Sequence, residues 1–308
     1  AYYSKLSSDL SRPFYNKATQ QKTAPGSTFK IVTAIAGMQE GIINDDYYIN
    51  CTGAFNLIQP SPHCWNLSGH GVLGVQSAIK ESCNIFFYNV AYDMARDEKN
   101  NFSDSLGLSK LQKYAKLFQL DEKSGLELSE AQPEISNEDV IRSAIGQGTH
   151  NYTTAQLARY VTTIANRGTS YSLSLLDKVT DSKGNVLNDF TSEVINTMDI
   201  PDYEWDIVQA GMREVVQNNE AFSDLDFPVS GKTGTAENTG HPSHGLFVGY
   251  APSDSPEIAI AVRIANGYSS GNAAAVAKDV IKYKYELADK SQLVTGTAAS
   301  GVSTAQTD

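Results

Sequence analysis

Ala24-Pro25-Gly26-Ser27-Thr28-Phe29-Lys30-Ile31-Val32-Thr33-Ala34-Ile35-Ala36-Gly37-Met38-Gln39 is the stretch on which the reading of this sequence turns. Pro25-Gly26 suits a tight turn, and the dense apolar positions that follow Ser27, closed by Gly41, predict a largely buried helix over 27–39. A lysine three residues after a serine on a helix lies on the same face, one turn away. A serine hydroxyl is a weak nucleophile until a base takes its proton, so Ser27 and Lys30 have the spacing of a nucleophile and its base. The helix start would favour negative charge developing near the Ser27 oxygen. Alone this spacing carries little. Ser77-Ala78-Ile79-Lys80 repeats it where a helix interior with a solvated lysine explains it, and Ser27 itself fits a plain N-cap.

Outward from this helix, residues 44–70 are rich in Asn, Pro, Gly and Ser and read as irregular loop. A helical pattern over 72–96 is interrupted at Ser82-Cys83-Asn84, which places that triplet in a turn between two helices. Further helices are predicted near 108–118, near 153–166 with Gly168 just beyond, and over 203–217. After Pro228 the runs 229–237, 246–250 and 258–265 read as antiparallel strands, with a turn over 252–256. A closing helix is expected over 273–288, then a mobile tail, with the domain running over 1–290 and the tail over 291–308. The fold class is α+β: an antiparallel sheet with Lys232 to Thr235 on an edge strand, flanked by helices, and a mostly helical lobe.

The chain of 308 residues is 41% hydrophobic and 19% charged, a globular composition with a sizeable core. Its formal net charge of −11 has the wrong sign for a partner built of phosphates, which argues against nucleic acid. No apolar run approaches the ~20 residues of a membrane-spanning helix. No charged-then-apolar leader opens the chain, so any export signal or anchor is expected outside it.

Order and spacing add what one motif cannot. Ser27-Thr28-Phe29-Lys30 is followed by Ser82-Cys83-Asn84 and then by Lys232-Thr233-Gly234-Thr235 at the start of a predicted strand. The series S-x-x-K, S-x-N, K-T-G is the signature of penicillin-binding proteins and serine β-lactamases. Ile145-Gly146-Gln147-Gly148, Thr154-Ala155-Gln156-Leu157-Ala158, Ala165-Asn166-Arg167-Gly168, Gly69-His70-Gly71 and His244-Gly245-Leu246-Phe247-Val248-Gly249-Tyr250-Ala251-Pro252 add to it. From Ser27 to Ala288 the chain resembles the transpeptidase domain of a class B penicillin-binding protein of the elongation type. Leu246 stands where that family usually carries Trp, a departure in the strand rather than the chemistry. Only 26 residues precede Ser27, where the family has two strands, a pedestal domain and a membrane anchor; these are expected to be missing from this chain.

The resemblance implies that Ser27 attacks the carbonyl of a D-Ala-D-Ala bond on a peptidoglycan stem, releases D-Ala and passes the acyl group to an amine of a second stem. Lys30 would be the base, with burial and the charge of Lys232 lowering its proton affinity. Ser82 would relay a proton, and Asn84 would orient the substrate amide and Lys30. Lys232, Thr233 and Thr235 would hold the terminal carboxylate. Gly234 would leave room for substrate along the strand, and the Ser27 and Thr235 N–H groups would form an oxyanion hole. β-Lactams would acylate the same serine. The resemblance also implies a place on the outer face of the bacterial plasma membrane and a cell-wall synthesis complex that includes a glycosyltransferase. β-Lactamases and D,D-carboxypeptidases share the acylation step and use water as acceptor; a β-lactam-sensing domain would stop at the acyl-enzyme.

No cofactor is expected for catalysis. Cys51, Cys64 and Cys83 leave one thiol over if two are paired, and they share their region with His63 and His70. A structural zinc near the S-x-N turn, held by Cys51, Cys64, His70 and Cys83 with His63 as substitute, is the favoured reading. A Cys51–Cys64 disulfide beside a free Cys83, and three unlinked thiols, stay open. His150, His241 and His244 read as loop or strand-edge residues, and Glu127, Glu130, Glu134 and Glu138 as a solvated acidic face.

Overall fold

Two short helices, α1 (Tyr2–Ser7) and α2 (Lys17–Gln20), lead to the glycine turn in the computed structural model, which describes residues 2–9 and 12–293. The helix expected over 27–39 is built in two pieces, a 3-10 turn (Gly26–Phe29) and α3 (Lys30–Gln39). Pro25 rather than Ser27 occupies the cap position, and no side chain caps the turn. Every residue of α3 from Lys30 to Met38 is buried. A helix apolar on all sides belongs in the interior, and α3 is the axis around which the helical lobe packs.

That lobe consists of α4 (Val75–Lys80), α5 (Asn84–Met94), α6 (Asp104–Leu117) and α7 (Val140–Ser143), while α8 (Thr154–Ala165) lies against the main sheet. Local chemistry explains several boundaries: Ser103 caps α6, and Thr153 with Gln156 forms a capping box on α8. The loop expected over 44–70 is irregular for most of its length and is closed by β1 (Ile49–Cys51) pairing antiparallel with β2 (Gly71–Leu73). Two ribbons follow that the pattern of residues does not announce: β3 (Thr169–Tyr171) with β6 (Val194–Thr197), and β4 (Lys178–Thr180) with β5 (Val186–Asp189). Both β4 and β5 are exposed at every position, so the apolar alternation that marks a half-buried strand has no reason to exist there.

The long α9 (Asp202–Gln217) then leads to the main sheet, β7 (Ser230–Ala236), β8 (His244–Ala251) and β9 (Ile258–Ile264), antiparallel in that order. β8 alternates cleanly: Leu246, Val248 and Tyr250 join the core shared with α3 and α5, while Phe247 and Ala251 join a second core with Ala273, Ala274 and Ile281 of α10 (Ser270–Lys284). Among the described residues β7 is an end strand, as expected for 232–235, yet it is buried along its whole length. The glycine turn and α9 lie against it. A last helix, α11 (Lys290–Leu293), takes in the first residues of the expected tail; the remainder, 294–308, lies outside the described residues.

Two readings of single residues are corrected. Glu130 is not on a solvated face: it is 8% exposed and its carboxylate accepts from the Ser124 N–H and hydroxyl and from Thr153. His150 is no loop-edge residue either. Its Nδ1 accepts from the Ser136 N–H at 3.1 Å and lies 2.8 Å from the Tyr152 hydroxyl, with the ring against Phe29. Burial pushes the imidazole down to about 3. The folded chain therefore takes this proton only below about 3, whereas an unfolded histidine takes it near 6.5. The stabilising contribution is whole above about pH 6.5 and is lost progressively as pH falls toward 3. His150→Gln is expected to cost about 1–3 kcal/mol at pH 7 and to show a shallower loss of stability between pH 6.5 and 4.5. Equal slopes in calorimetry of the two proteins would rule the histidine out as the source.

Candidate active site

Three distant segments meet at the N-terminal end of α3. The Ser27 side of the meeting depends on how closely the glycine turn approaches β7. Gly26 has φ +52°, and a Cβ there would stand 2.3 Å from the Thr235 carbonyl oxygen. A Cβ on Gly234 would meet Thr28 Cγ2 at 2.8 Å and the Pro25 carbonyl at 2.9 Å, so this glycine admits the serine turn against the strand. The Gly26 N–H donates to the Gly146 carbonyl at 3.0 Å, and the Tyr160 hydroxyl donates to the Thr28 carbonyl at 3.0 Å.

Lys30 is completely buried, and its Nζ donates to the Ser82 carbonyl at 2.7 Å, the Ser82 Oγ at 3.1 Å and Asn84 Oδ1 at 2.6 Å. Lys232, equally buried, reaches the same Ser82 Oγ from β7 at 2.8 Å. The expected turn between α4 and α5 is present, with Ser82 held at φ +50° and Asn84 as the first residue of α5. That backbone region is unfavourable for a serine, and the two lysines and the α5 start over-determine it. Asn84 Nδ2 donates to the His63 carbonyl at 3.4 Å, which ties the loop to the turn. Of these three acceptors, only the Ser82 hydroxyl can also donate.

Ser27, Asn84 and Thr235 line one cleft of about 850 Å³ together with Tyr88, Trp65 and Gln147. The Gln147 side chain donates to the Thr235 carbonyl at 3.1 Å, anchoring the end of β7 to the loop after α7. Nothing in the residue pattern of Gly146-Gln147-Gly148 gives that bond; only the glycines on either side mark the position as a constrained one. The competing Ser77 and Lys80 lie elsewhere, as the bland reading of that repeat expects. The Ser77 hydroxyl donates to the Gly74 carbonyl, and Lys80 pairs with Glu81 at the surface. Ser270-Gly271-Asn272, the second S-x-N, opens α10.

Cys51, Cys64, His70 and Cys83 come together behind the turn, their ligand atoms all within 4.8 Å of one another. His70 Nδ1 lies 3.5 Å from the Cys51 sulfur and 3.6 Å from that of Cys64. All three cysteines are free and buried. A hydrogen bond from the Cys83 thiol, joined by the Asn66 and Asn84 N–H groups, holds the Cys64 thiol far below its ordinary value against the opposing effect of burial. The same bond and burial push Cys83 up. His63 is exposed and contributes its carbonyl rather than its ring.

Residues 1–282 match the family model described as the penicillin binding protein transpeptidase domain. The chain is 30% identical over 315 residues to the peptidoglycan D,D-transpeptidase MrdA of Acinetobacter baumannii, an alignment covering 91% of this chain and 45% of that protein. It thus spans about half the length of that relative. Among solved structures it superposes on Pseudomonas aeruginosa PBP2 in complex with WCK 5153 with a TM-score of 0.79 at 26% identity, covering 97% of this chain and 69% of that one. A peptidoglycan synthase complex, reported for its coordination of polymerization and crosslinking, matches with a TM-score of 0.80 at 26% identity over 94% of this chain and 50% of that one.

The contact between turn and strand is directly testable. Gly26→Ala combines a left-handed φ with the approach to Thr235, and is expected to cost roughly 2–5 kcal/mol in denaturant unfolding. Gly184→Ala, where φ is +86° but no atom lies within 4 Å, is expected to cost about 1 kcal/mol. Equal losses at the two positions would show that the approach is not the constraint.

Proposed function

The chain belongs to the penicillin-binding protein transpeptidase family, and from that premise we propose that it is a serine D,D-transpeptidase that cross-links peptidoglycan stem peptides. The observation that carries the reading is the Ser82 hydroxyl held by both Lys30 and Lys232 beside a cleft lined by Ser27. Ser27 attacks the D-Ala-D-Ala carbonyl; its proton passes to Lys30, the peptide C–N bond breaks, and D-Ala leaves with a proton relayed through Ser82. Two buried amines converging on one hydroxyl favour loss of a proton from one of them, which leaves Lys30 able to accept from Ser27. Lys232, Thr233 and Thr235 receive the terminal carboxylate, and the Ser27 and Thr235 N–H groups take the developing oxyanion. An amine of a second stem then displaces Ser27. We place the reaction on the outer face of the bacterial plasma membrane, in an assembly with a glycosyltransferase, a reading supported by the likeness to the peptidoglycan synthase complex.

Ser27→Ala is expected to abolish labelling by a fluorescent penicillin, while Ser77→Ala labels as the unaltered chain does. With a D-Ala-D-Ala or thioester analogue, an added amine is expected to take the acyl group. Release of acid alone would mark a carboxypeptidase or, from penicillin, a β-lactamase, and an adduct that no amine discharges would mark a sensing domain.

For the cysteine cluster we infer a structural zinc held by Cys51, Cys64, His70 and Cys83. A tetrahedron with zinc–sulfur bonds of about 2.3 Å and a zinc–nitrogen bond of about 2.0–2.1 Å has nitrogen–sulfur edges of about 3.5 Å, the separation that His70 Nδ1 keeps from Cys51 and Cys64. Zinc would supply a cross-link between the 44–70 loop and the S-x-N turn, with no part in the acyl transfer. Native mass spectrometry is expected to show one zinc, lost to a chelator with a fall in unfolding temperature. A metal-free protein of undiminished stability would contradict the assignment.

A further inference from the structure

We propose that the thiols of Cys51, Cys64 and Cys83 are an oxidation-sensitive modification site, in which pairing of Cys64 with Cys83 disconnects the Ser82-Cys83-Asn84 turn from Lys30 and Lys232. The proposal goes beyond the zinc reading and rests on it only for the state from which oxidation starts.

Three sulfurs and an imidazole lie within 4.8 Å of one another, and His70 Nδ1 stands 3.5 Å from the Cys51 sulfur and 3.6 Å from that of Cys64. A set of donors this rich in sulfur holds a soft metal when reduced and has an oxidised alternative, which a carboxylate set lacks. Cys64, though buried, is among the residues that line the cleft with Ser27, whereas Cys51 and Cys83 are not, which makes Cys64 the cysteine nearest the route of a small oxidant through the cleft. Cys83 is the middle residue of the turn. Its neighbour Ser82 is held at φ +50°, and its neighbours on both sides supply every Lys30 acceptor described above.

The oxidant is a peroxide. The Cys64 sulfur attacks one peroxide oxygen, the O–O bond breaks, water leaves, and Cys64 becomes a sulfenic acid. The Cys83 sulfur then displaces the hydroxyl as a second water, closing the disulfide. The two sulfurs lose one electron pair in total to the peroxide, and the protons end in the two waters. The metal loses two of its four ligands and departs. Drawing the Cys83 sulfur from its place in a cluster whose ligand atoms lie within 4.8 Å to bonding distance pulls on the peptide units that carry the Ser82 carbonyl and Asn84, so the Lys30 bonds cannot all persist.

The test uses the full chain as isolated, its metal content first measured by native mass spectrometry. Graded hydrogen peroxide is followed by intact mass, by release of zinc to a chromogenic chelator, by peptide mapping, and by the rate of acylation with a fluorescent penicillin. The expected result is a loss of two hydrogens mapped to Cys64 and Cys83, release of the metal, and a fall in acylation rate on the order of tenfold to a hundredfold, reversed by a dithiol with added zinc. Amide exchange over residues 79–88, faster after oxidation, reads the same coupling without reference to acylation. The double variant Cys51→Asp/Cys64→Asp retains four donors that zinc accepts and has a single thiol; its acylation rate after peroxide is expected to equal its own rate before it. A Cys64–Cys83 bond that leaves acylation and exchange unchanged overturns the proposal, as do thiols that survive the oxidant, or a double variant that loses acylation as the parent does. Absence of metal at the outset defeats the zinc reading alone, and a chain that penicillin never labels defeats the transpeptidase reading alone; the exchange measurement decides the thiol proposal in both cases.

Discussion

One hydroxyl shared by two buried amines is the constraint from which the rest of the site follows. Ser82 Oγ accepts from Lys30 at 3.1 Å and from Lys232 at 2.8 Å, and both lysines are fully buried. Removing an ammonium group from water costs several kcal/mol even after relaxation, and a second amine on the same hydroxyl adds to that cost or gives up its proton. Such an arrangement persists only if the surrounding fold is strong enough to hold it. Here that strength comes from α3, buried from Lys30 to Met38, and from β7, buried along its full length although it ends the sheet. The core is what lets the chain keep two amines where packing alone would place apolar side chains.

How much of this was legible depended on whether a position is governed by its own neighbours or by remote ones. The K-T-G strand, the turn at Ser82-Cys83-Asn84 and the long helices α8 and α9 follow from local patterns of apolar residues and turn formers, and the structure has them where the residues put them. The α+β class followed from the same patterns. The 3-10 turn at Ser27 was not legible, because the residues of 26–39 suit a helix and only the approach of Gly26 to Thr235 tightens its start. The ribbons β3–β6 and β4–β5 lacked an apolar face to announce them. Gln147 and His150 were missed as structural groups for a different reason: their partners, Thr235 and Ser136, lie 88 and 14 residues away.

The cysteines illustrate how a weak motif becomes a strong site through topology. Their spacing fits no standard finger, yet pairing of β1 with β2 brings Cys51 and Gly71 opposite each other and so sets His70 beside Cys51. Cys83 arrives with the turn that Lys30 holds. The loop between β1 and β2 has little core of its own, with Phe55 and Cys64 as its buried apolar side chains. Cooperative stability there has to come from the cluster and from the Asn84–His63 bond rather than from hydrophobic area.

A formal charge of −11 runs against the sign of a site that receives a carboxylate, as the transpeptidase reading requires. The resolution lies in distance and dielectric. Surface carboxylates act through water and ions that screen them beyond about 8 Å, whereas Lys30 and Lys232 sit in the low-dielectric interior. Glu138, Asp139, Glu237 and Arg142 are among the residues that line the cleft with Ser27, while Lys30 and Lys232 are fully buried where they converge on Ser82. The overall charge therefore bears on solubility and non-specific partners, and says little about a buried cluster that the surface carboxylates do not reach.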